Sequence, residues 1–123
     1  MKARVLIADD ASFMRHMIRE IIEPEGYEVV GEATNGIEAV EQFSAHHPDL
    51  VTMDIVMPKR SGIDAVKGIL EADAGARVVM CSALGQEALV MEALQAGAKD
   101  FIVKPFKPEQ VLATLQKALE KGD

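Results

Sequence analysis

Five short apolar runs, separated by amphipathic stretches from one end of the chain to the other, constrain its fold more than any other feature. The runs are VLIA (5–8), YEVVGEA (27–33), DLVTM (49–53), RVVMC (77–81) and DFIV (100–103). Each is β-branched or otherwise apolar and is bounded by Gly, Pro, Asp or Ser, the pattern of strands. Between them apolar residues recur at helical spacing. Met14, Met17, Ile18, Ile21 and Ile22 run up to Pro24 and Gly26; Ile37, Val40 and Phe43 run up to Pro48. Ile63, Val66, Ile69 and Leu70 form a third stripe, and Leu89, Val90, Ala93 and Leu94 a fourth that stops at Gly97. A fifth, Val111, Leu112, Leu115 and Leu119, follows Pro108. Proline suits a first helical position because the N–H it lacks would be unpaired there. Strands alternating with helices pair in parallel through right-handed crossovers. The pattern therefore predicts an α/β fold, a (βα)5 doubly wound parallel sheet covered on both faces. Two of the middle runs are apolar almost throughout, as strands buried on both faces should be.

At 123 residues the chain is one domain, 1–123, with no room for a second module. Its formal charge of -7 argues against direct nucleic-acid binding, because the 13 Lys and Arg residues form no basic run. The first apolar run stops at Asp9, far short of a signal-peptide core or a membrane span. The single cysteine, Cys81, cannot close an internal disulfide and reads as a core thiol in a reducing, cytoplasmic setting. Met14, Met17, Met53, Met80 and Met91 read as core-facing, and Met57 beside Pro58 as a loop residue. His16, His46 and His47 show no metal-ligand pattern and read as surface residues.

In a parallel sheet all carboxyl ends lie along one edge, and ligands bind there. Asp9 and Asp10 follow the first run, Asp54 the third, Ser82 the fourth and Lys104 the fifth. Three carboxylates, a hydroxyl and an ammonium thus converge. Two carboxylates ~5 Å apart repel by about 3 kcal/mol at an effective dielectric near 20. Three together raise their own pKa values unless a cation neutralises them. Clustered carboxylate oxygens with a nearby backbone carbonyl suit a small hard divalent ion that keeps several waters, which favours Mg2+. Taken alone, Asp9 and Asp10 are equally a helix-start signal at the positive end of a helix dipole. A cis bond between Lys104 and Pro105 would aim the ammonium into the cluster. An ammonium and a hydroxyl opposite a metal are what a transferring phosphoryl group needs for its remaining oxygens.

Six features, taken in order, resemble bacterial two-component response-regulator receiver domains. They are ADDASFMR (8–15), EATNGIEAV (32–40), PDLVTMDIVMP (48–58), Gly62, CSALG (81–85) and AGAKDFIVKPF (96–106). Within that family the stand-alone chemotaxis proteins are the most similar. The resemblance implies a flavodoxin-like strand order, 2-1-3-4-5. It also implies a signalling switch in place of a conventional enzyme, one that catalyses only its own aspartyl phosphorylation and slow autodephosphorylation. Asp54 would be the phospho-acceptor, taking the phosphoryl group from a sensor histidine kinase of the CheA-like kind. Asp10, Asp54 and the Val56 carbonyl would be Mg2+ ligands, with Asp9 holding the ion through water. Ser82, Lys104 and the Ala83 amide would bind phosphoryl oxygens. Phe101 would be the switch aromatic that moves inward with Ser82, although a permanently buried core ring is the competing reading. The implied partner surface is helix 4, strand 5 and helix 5 of a monomer, offered to a flagellar motor switch protein or another downstream protein.

Three departures from the family pattern matter. Arg60 stands where Met is common, so a more solvated loop into helix 3 is expected. Val56 and Leu84, each two residues past Asp54 and Ser82, are apolar where faster self-dephosphorylating members carry polar groups. Neither can orient an attacking water, so a long-lived acyl phosphate is expected. Two other outputs share these motifs: a receiver belonging to a longer DNA-binding regulator, and a single-domain phosphorelay intermediate. The ending in a helix followed by KGD (121–123), with no linker, favours the stand-alone form. A metal-dependent phosphatase would carry a second carboxylate where Val56 stands, and a flavin carrier would need a phosphate-cradling glycine loop.

Overall fold

Each apolar run forms a strand and each stripe a helix. The computed structural model describes residues 3–120; the KGD ending lies outside the described residues. The strands are β1 (Arg4–Ala8), β2 (Glu28–Ala33), β3 (Leu50–Asp54), β4 (Val78–Ser82) and β5 (Asp100–Val103). The helices are α1 (Ser12–Ile22), α2 (Gly36–His46), α3 (Gly62–Ala72), α4 (Glu87–Ala96) and α5 (Pro108–Glu120), and a 3-10 turn (Glu23–Glu25) follows α1. The strands pair in parallel in the order β2-β1-β3-β4-β5, the order the resemblance implied. Among the described residues no helix is long and apolar enough to cross a membrane.

Local chemistry sets the helix ends. Asn35 accepts the Glu38 N–H at 2.8 Å while Glu38 accepts the Thr34 N–H at 2.7 Å, so two donors are satisfied where α2 begins. Ser61 caps α3 in the same way through the Asp64 N–H at 3.1 Å. Gly97 closes α4 in the left-handed conformation, φ 119°, which costs a residue without Cβ little.

Two cores sandwich the sheet. Leu6, Val51, Met53, Val78 and Met80 pack under α2, α3 and α4, against Phe43, Val66, Ile69 and Ala93. Val5, Ile7, Leu50, Val79 and Cys81 pack on the other face, against Ile18, Ile22, Val111 and Leu115 of α1 and α5. Every residue of β3 and β4 is buried. Burial pushes the Cys81 thiol up to about 12, the value of an inert core group.

Some side chains depart from expectation. Ile37 and Met91 are 45% and 57% exposed. Ile37 lies on the α2 stripe and Met91 reads as core-facing, but Ala39 and Phe43 of α2, and Val90 and Ala93 of α4, are what the helices bury. Met57 lies in the loop after β3, as expected, but is buried there. His46 is half-buried; His47 is exposed, as expected, at φ 46° after α2 with its ring edge-on to Phe43 at 6.4 Å.

Candidate functional site

The carboxyl edge of the sheet collects the predicted groups. Asp54 and Ser82 are the last residues of β3 and β4, one position earlier than expected, because the ladder carries on through the Asp54–Cys81 pair. One carboxylate oxygen from each of Asp9, Asp10 and Asp54 lies within 4.8 Å of the others. Lys104 Nζ stands 3.2 Å from Asp9 Oδ2 and 3.4 Å from Asp54 Oδ1. The Lys104–Pro105 bond is cis, and the Lys104 N–H donates to the Ser82 carbonyl at 2.7 Å, tying the ends of β5 and β4 together.

The adjacent aspartates differ. Asp9 is buried and Asp10 exposed. Asp9 Oδ1 accepts the Ala11 N–H at 2.9 Å and so shapes the turn into α1, while Oδ2 is aimed at the cluster. Both aspartates lie just before the N-terminus of α1 and outside its first turn, which has no acidic residue, so a helix start alone does not account for the pair. Burial raises the Asp54 pKa to about 6; the Asp9 charge adds to the rise and Lys104 opposes it. Burial works to lower the Lys104 pKa, but Asp54 and Asp9 outweigh it and the net shift is upward, so the group remains an ammonium.

One ammonium faces three carboxylates. Asp9 Oδ2 lies at ion-pair distance from Lys104 without hydrogen-bond alignment, and it is buried with no hydrogen-bond partner. An all-oxygen donor set with surplus negative charge and an unsatisfied buried oxygen fits a small hard divalent cation. Asp9, Asp10 and Asp54 are the residues that could hold it.

Sequence reading missed several residues that build this edge. Arg15 donates to the Asp9 carbonyl at 2.7 Å and to Glu32 at 2.7 Å, fixing the main chain of the acidic pair to α1 and β2. Arg19 joins Glu32 to Glu23. The available signal was the i, i+4 spacing of two arginines on α1, which also reads as an ordinary solvated face. Gly62 was noted without a reason, and the reason is close approach. A Cβ there would stand 2.0 Å from the Asp54 carbonyl oxygen, and one at Gly36 would stand 2.1 Å from the Arg60 carbonyl oxygen. The loop into α3 is exposed at Pro58 and Lys59, while Arg60 itself is half-buried, with Nη2 2.8 Å from where a Gly68 Cβ would be.

The Ala83 N–H, read as a phosphoryl donor, is bonded to Gln86 Oε1 at 2.7 Å. Phe101 is 39% exposed and, with Ser82, Val90 and Met91, borders a cleft of about 250 Å3 between α4 and β5. Val56 and Leu84 are both exposed.

Comparison with known proteins agrees with this geometry. The chain matches the response regulator receiver domain over residues 5–116. It is 59% identical over 117 residues to the chemotaxis protein CheY of Thermotoga maritima, covering 95% of this chain and 98% of that protein. It superposes on the CheY chain in the CheX–CheY–BeF3–Mg2+ complex of Borrelia burgdorferi with a TM-score of 0.88, at 43% identity over 93% of this chain and 87% of that one. NtrX of Brucella abortus matches with a TM-score of 0.92 at 30% identity; 98% of this chain covers only 28% of that longer chain. A family match across nearly all of the sheet and its helices, on a fold whose carboxyl edge gathers three aspartates and a lysine, leads to one conclusion: the chain belongs to the response regulator receiver domains.

Proposed function

We propose that this chain is a phosphorylation-activated signalling switch of the chemotaxis type, in which Asp54 accepts a phosphoryl group from the phosphohistidine of a sensor histidine kinase. One observation carries the reading: at the carboxyl edge of a receiver fold, Asp54 stands 3.4 Å from the Lys104 ammonium and beside Asp9 and Asp10. The 59% identity to a CheY supports the chemotaxis assignment. An Asp54 oxygen attacks phosphorus as the phosphorus–nitrogen bond breaks. The leaving imidazole nitrogen keeps that electron pair. A carboxylate is a weak nucleophile, and the group it attacks is anionic, so charge must be offset. Lys104 does this from the β5 side, and Ser82 and the Ala83 N–H serve the remaining oxygens. Asp10, Asp54 and the Val56 carbonyl would hold Mg2+, with Asp9 close behind; when bound, the ion neutralises charge on the phosphoryl oxygens. The chain acts on itself, catalysing its own phosphorylation and slow dephosphorylation.

The readout follows from the same edge. Ser82, drawn toward a phosphoryl oxygen, leaves the cleft beside Phe101 free for that ring to enter. The surface of α4, β5 and α5 then has two arrangements for a motor switch protein or another downstream protein to distinguish. The Borrelia CheY solved in complex with CheX, BeF3 and Mg2+ supports a site for a phosphoryl group and Mg2+ and a protein partner for the domain.

Incubation with acetyl phosphate and Mg2+ should add the mass of one phosphoryl group to the intact chain. Asp54→Asn, or omission of Mg2+, should abolish the adduct. An adduct of equal yield on Asp54→Asn contradicts the proposal.

The lifetime of that adduct is the next expectation. Val56 and Leu84 are exposed apolar side chains flanking the site and offer water no polar partner. Val56→Asn with Leu84→Glu should shorten the half-life about tenfold or more, an effect smaller than the roughly 100- to 10,000-fold of a positioned acid–base group because these side chains only orient water. An unchanged decay would refute this account of the lifetime.

A further inference from the structure

The turn between β4 and α4 holds a hydrogen bond that the proposed chemistry cannot leave in place. The Ala83 N–H donates to Gln86 Oε1 at 2.7 Å, a short bond for a neutral pair. Gln86 stands immediately before α4, at its N-cap position, where a side chain ordinarily serves the free N–H groups of the helix's first turn. Here it caps none of them and reaches backward to the residue after Ser82. Its carbonyl still accepts the Val90 N–H at 3.0 Å, so one residue is bonded to the site edge through its side chain and to α4 through its main chain.

We infer that Gln86 is a built-in competitor for the phosphoryl-binding amide: its side-chain oxygen holds the Ala83 N–H until a phosphoryl oxygen displaces it. The inference rests on the phosphoryl site proposed above and assigns that site a positioning residue which opposes it. An anionic oxygen forms hydrogen bonds roughly twice as strong as a neutral one, so the exchange runs forward. The gain from this donor is only the difference between the two bonds, so Gln86 weakens the hold on the phosphoryl group. Displacement also has a consequence beyond the site. Leu84, two residues before Gln86, and Glu87, directly after it, line the cleft that Phe101 borders, so freeing the Gln86 side chain loosens the turn carrying the proposed output surface.

The test uses the full chain and beryllofluoride with Mg2+ as the phosphoryl mimic, titrated by two-dimensional amide NMR on the wild type, Gln86→Ala, Gln86→Asn and Gln86→Glu. Alanine, and asparagine, which is one methylene too short to reach, should each tighten binding about two- to tenfold, the worth of one net hydrogen bond. Glutamate, a stronger acceptor carrying charge, should bind the mimic more weakly than the wild type. In the free protein the Ala83 amide resonance should move when Gln86 is replaced by alanine or asparagine; at saturation it should coincide with the wild-type position. A structural brace would lower thermal stability without tightening binding. Affinity equal to or weaker than wild type in both the alanine and asparagine variants overturns the inference, as does an Ala83 resonance that ignores the substitution. If the wild type itself binds no mimic, the phosphoryl site falls, and the inference with it.

Discussion

Gly62→Ala is expected to lower stability by about 3 kcal/mol, the upper range for forcing an extra carbon into a packed interior, and to weaken divalent-cation binding at least tenfold. The added Cβ would lie 2.0 Å from the carbonyl oxygen of Asp54 and 2.9 Å from its carbonyl carbon. Those atoms belong to the backbone of a strand buried at every residue, so no side-chain rotation can relieve the overlap. The Gly62 N–H also donates to the Ile55 carbonyl at 2.8 Å, closing the loop that carries Val56. A main-chain shift there moves the Val56 carbonyl and the Asp54 carboxylate together. For a domain of this size the loss corresponds to roughly 10 °C in Tm. Denaturant unfolding and a Mg2+ titration measure the two effects separately. Wild-type values for both would show that Gly62 is not held against β3 as described.

Asp54→Asn should make the metal-free protein more stable near neutral pH. Asp54 ionises at about 6 in the fold against an ordinary 3.8, chiefly because it is buried and next because Asp9 is near. A carboxyl whose folded pKa is raised favours folding while protonated. Its contribution is complete below 3.8 and is lost as pH rises through about 6. In chelator above that range the wild type therefore carries a deficit of about 3 kcal/mol, which asparagine removes. The variant should melt higher in chelator near neutral pH, the two proteins should converge as pH falls below 3.8, and saturating Mg2+ should narrow or reverse the difference. A variant no more stable than wild type in chelator contradicts the proposed charge balance.

Much of this was legible in the chain because a parallel sheet leaves few choices. Runs such as VVMC and LVTM are too short and too β-branched for helices and too apolar for a one-sided sheet, and alternation with helices then fixes which strand ends meet. Asp9, Asp10, Asp54, Ser82 and Lys104 are visible for the same reason: a strand end is a position that periodicity can count to. The strand order came from the resemblance and not from spacing. What stayed hidden depends on side-chain direction and backbone proximity, which carry no period. Gly62 has nothing in its neighbours to announce the Asp54 carbonyl against it. Arg15 looks like any surface arginine until Asp9 and Glu32 fold onto it. Met91 reads as core-facing because it is apolar and neighbours Val90 and Ala93, yet it borders an open cleft one position round the helix from the buried Val90. Gln86 reads as a polar helix start, and only the turn geometry brings its amide oxygen to Ala83.

Chemical trapping tests the central claim most directly. After phosphorylation with acetyl phosphate and Mg2+, borohydride reduces an aspartyl acyl phosphate to homoserine, and peptide mass spectrometry then locates that residue. The account predicts homoserine at position 54 and at neither Asp9 nor Asp10, with none formed when Mg2+ is withheld. Homoserine at Asp9 or Asp10, or an adduct on a residue other than an aspartate, would contradict it.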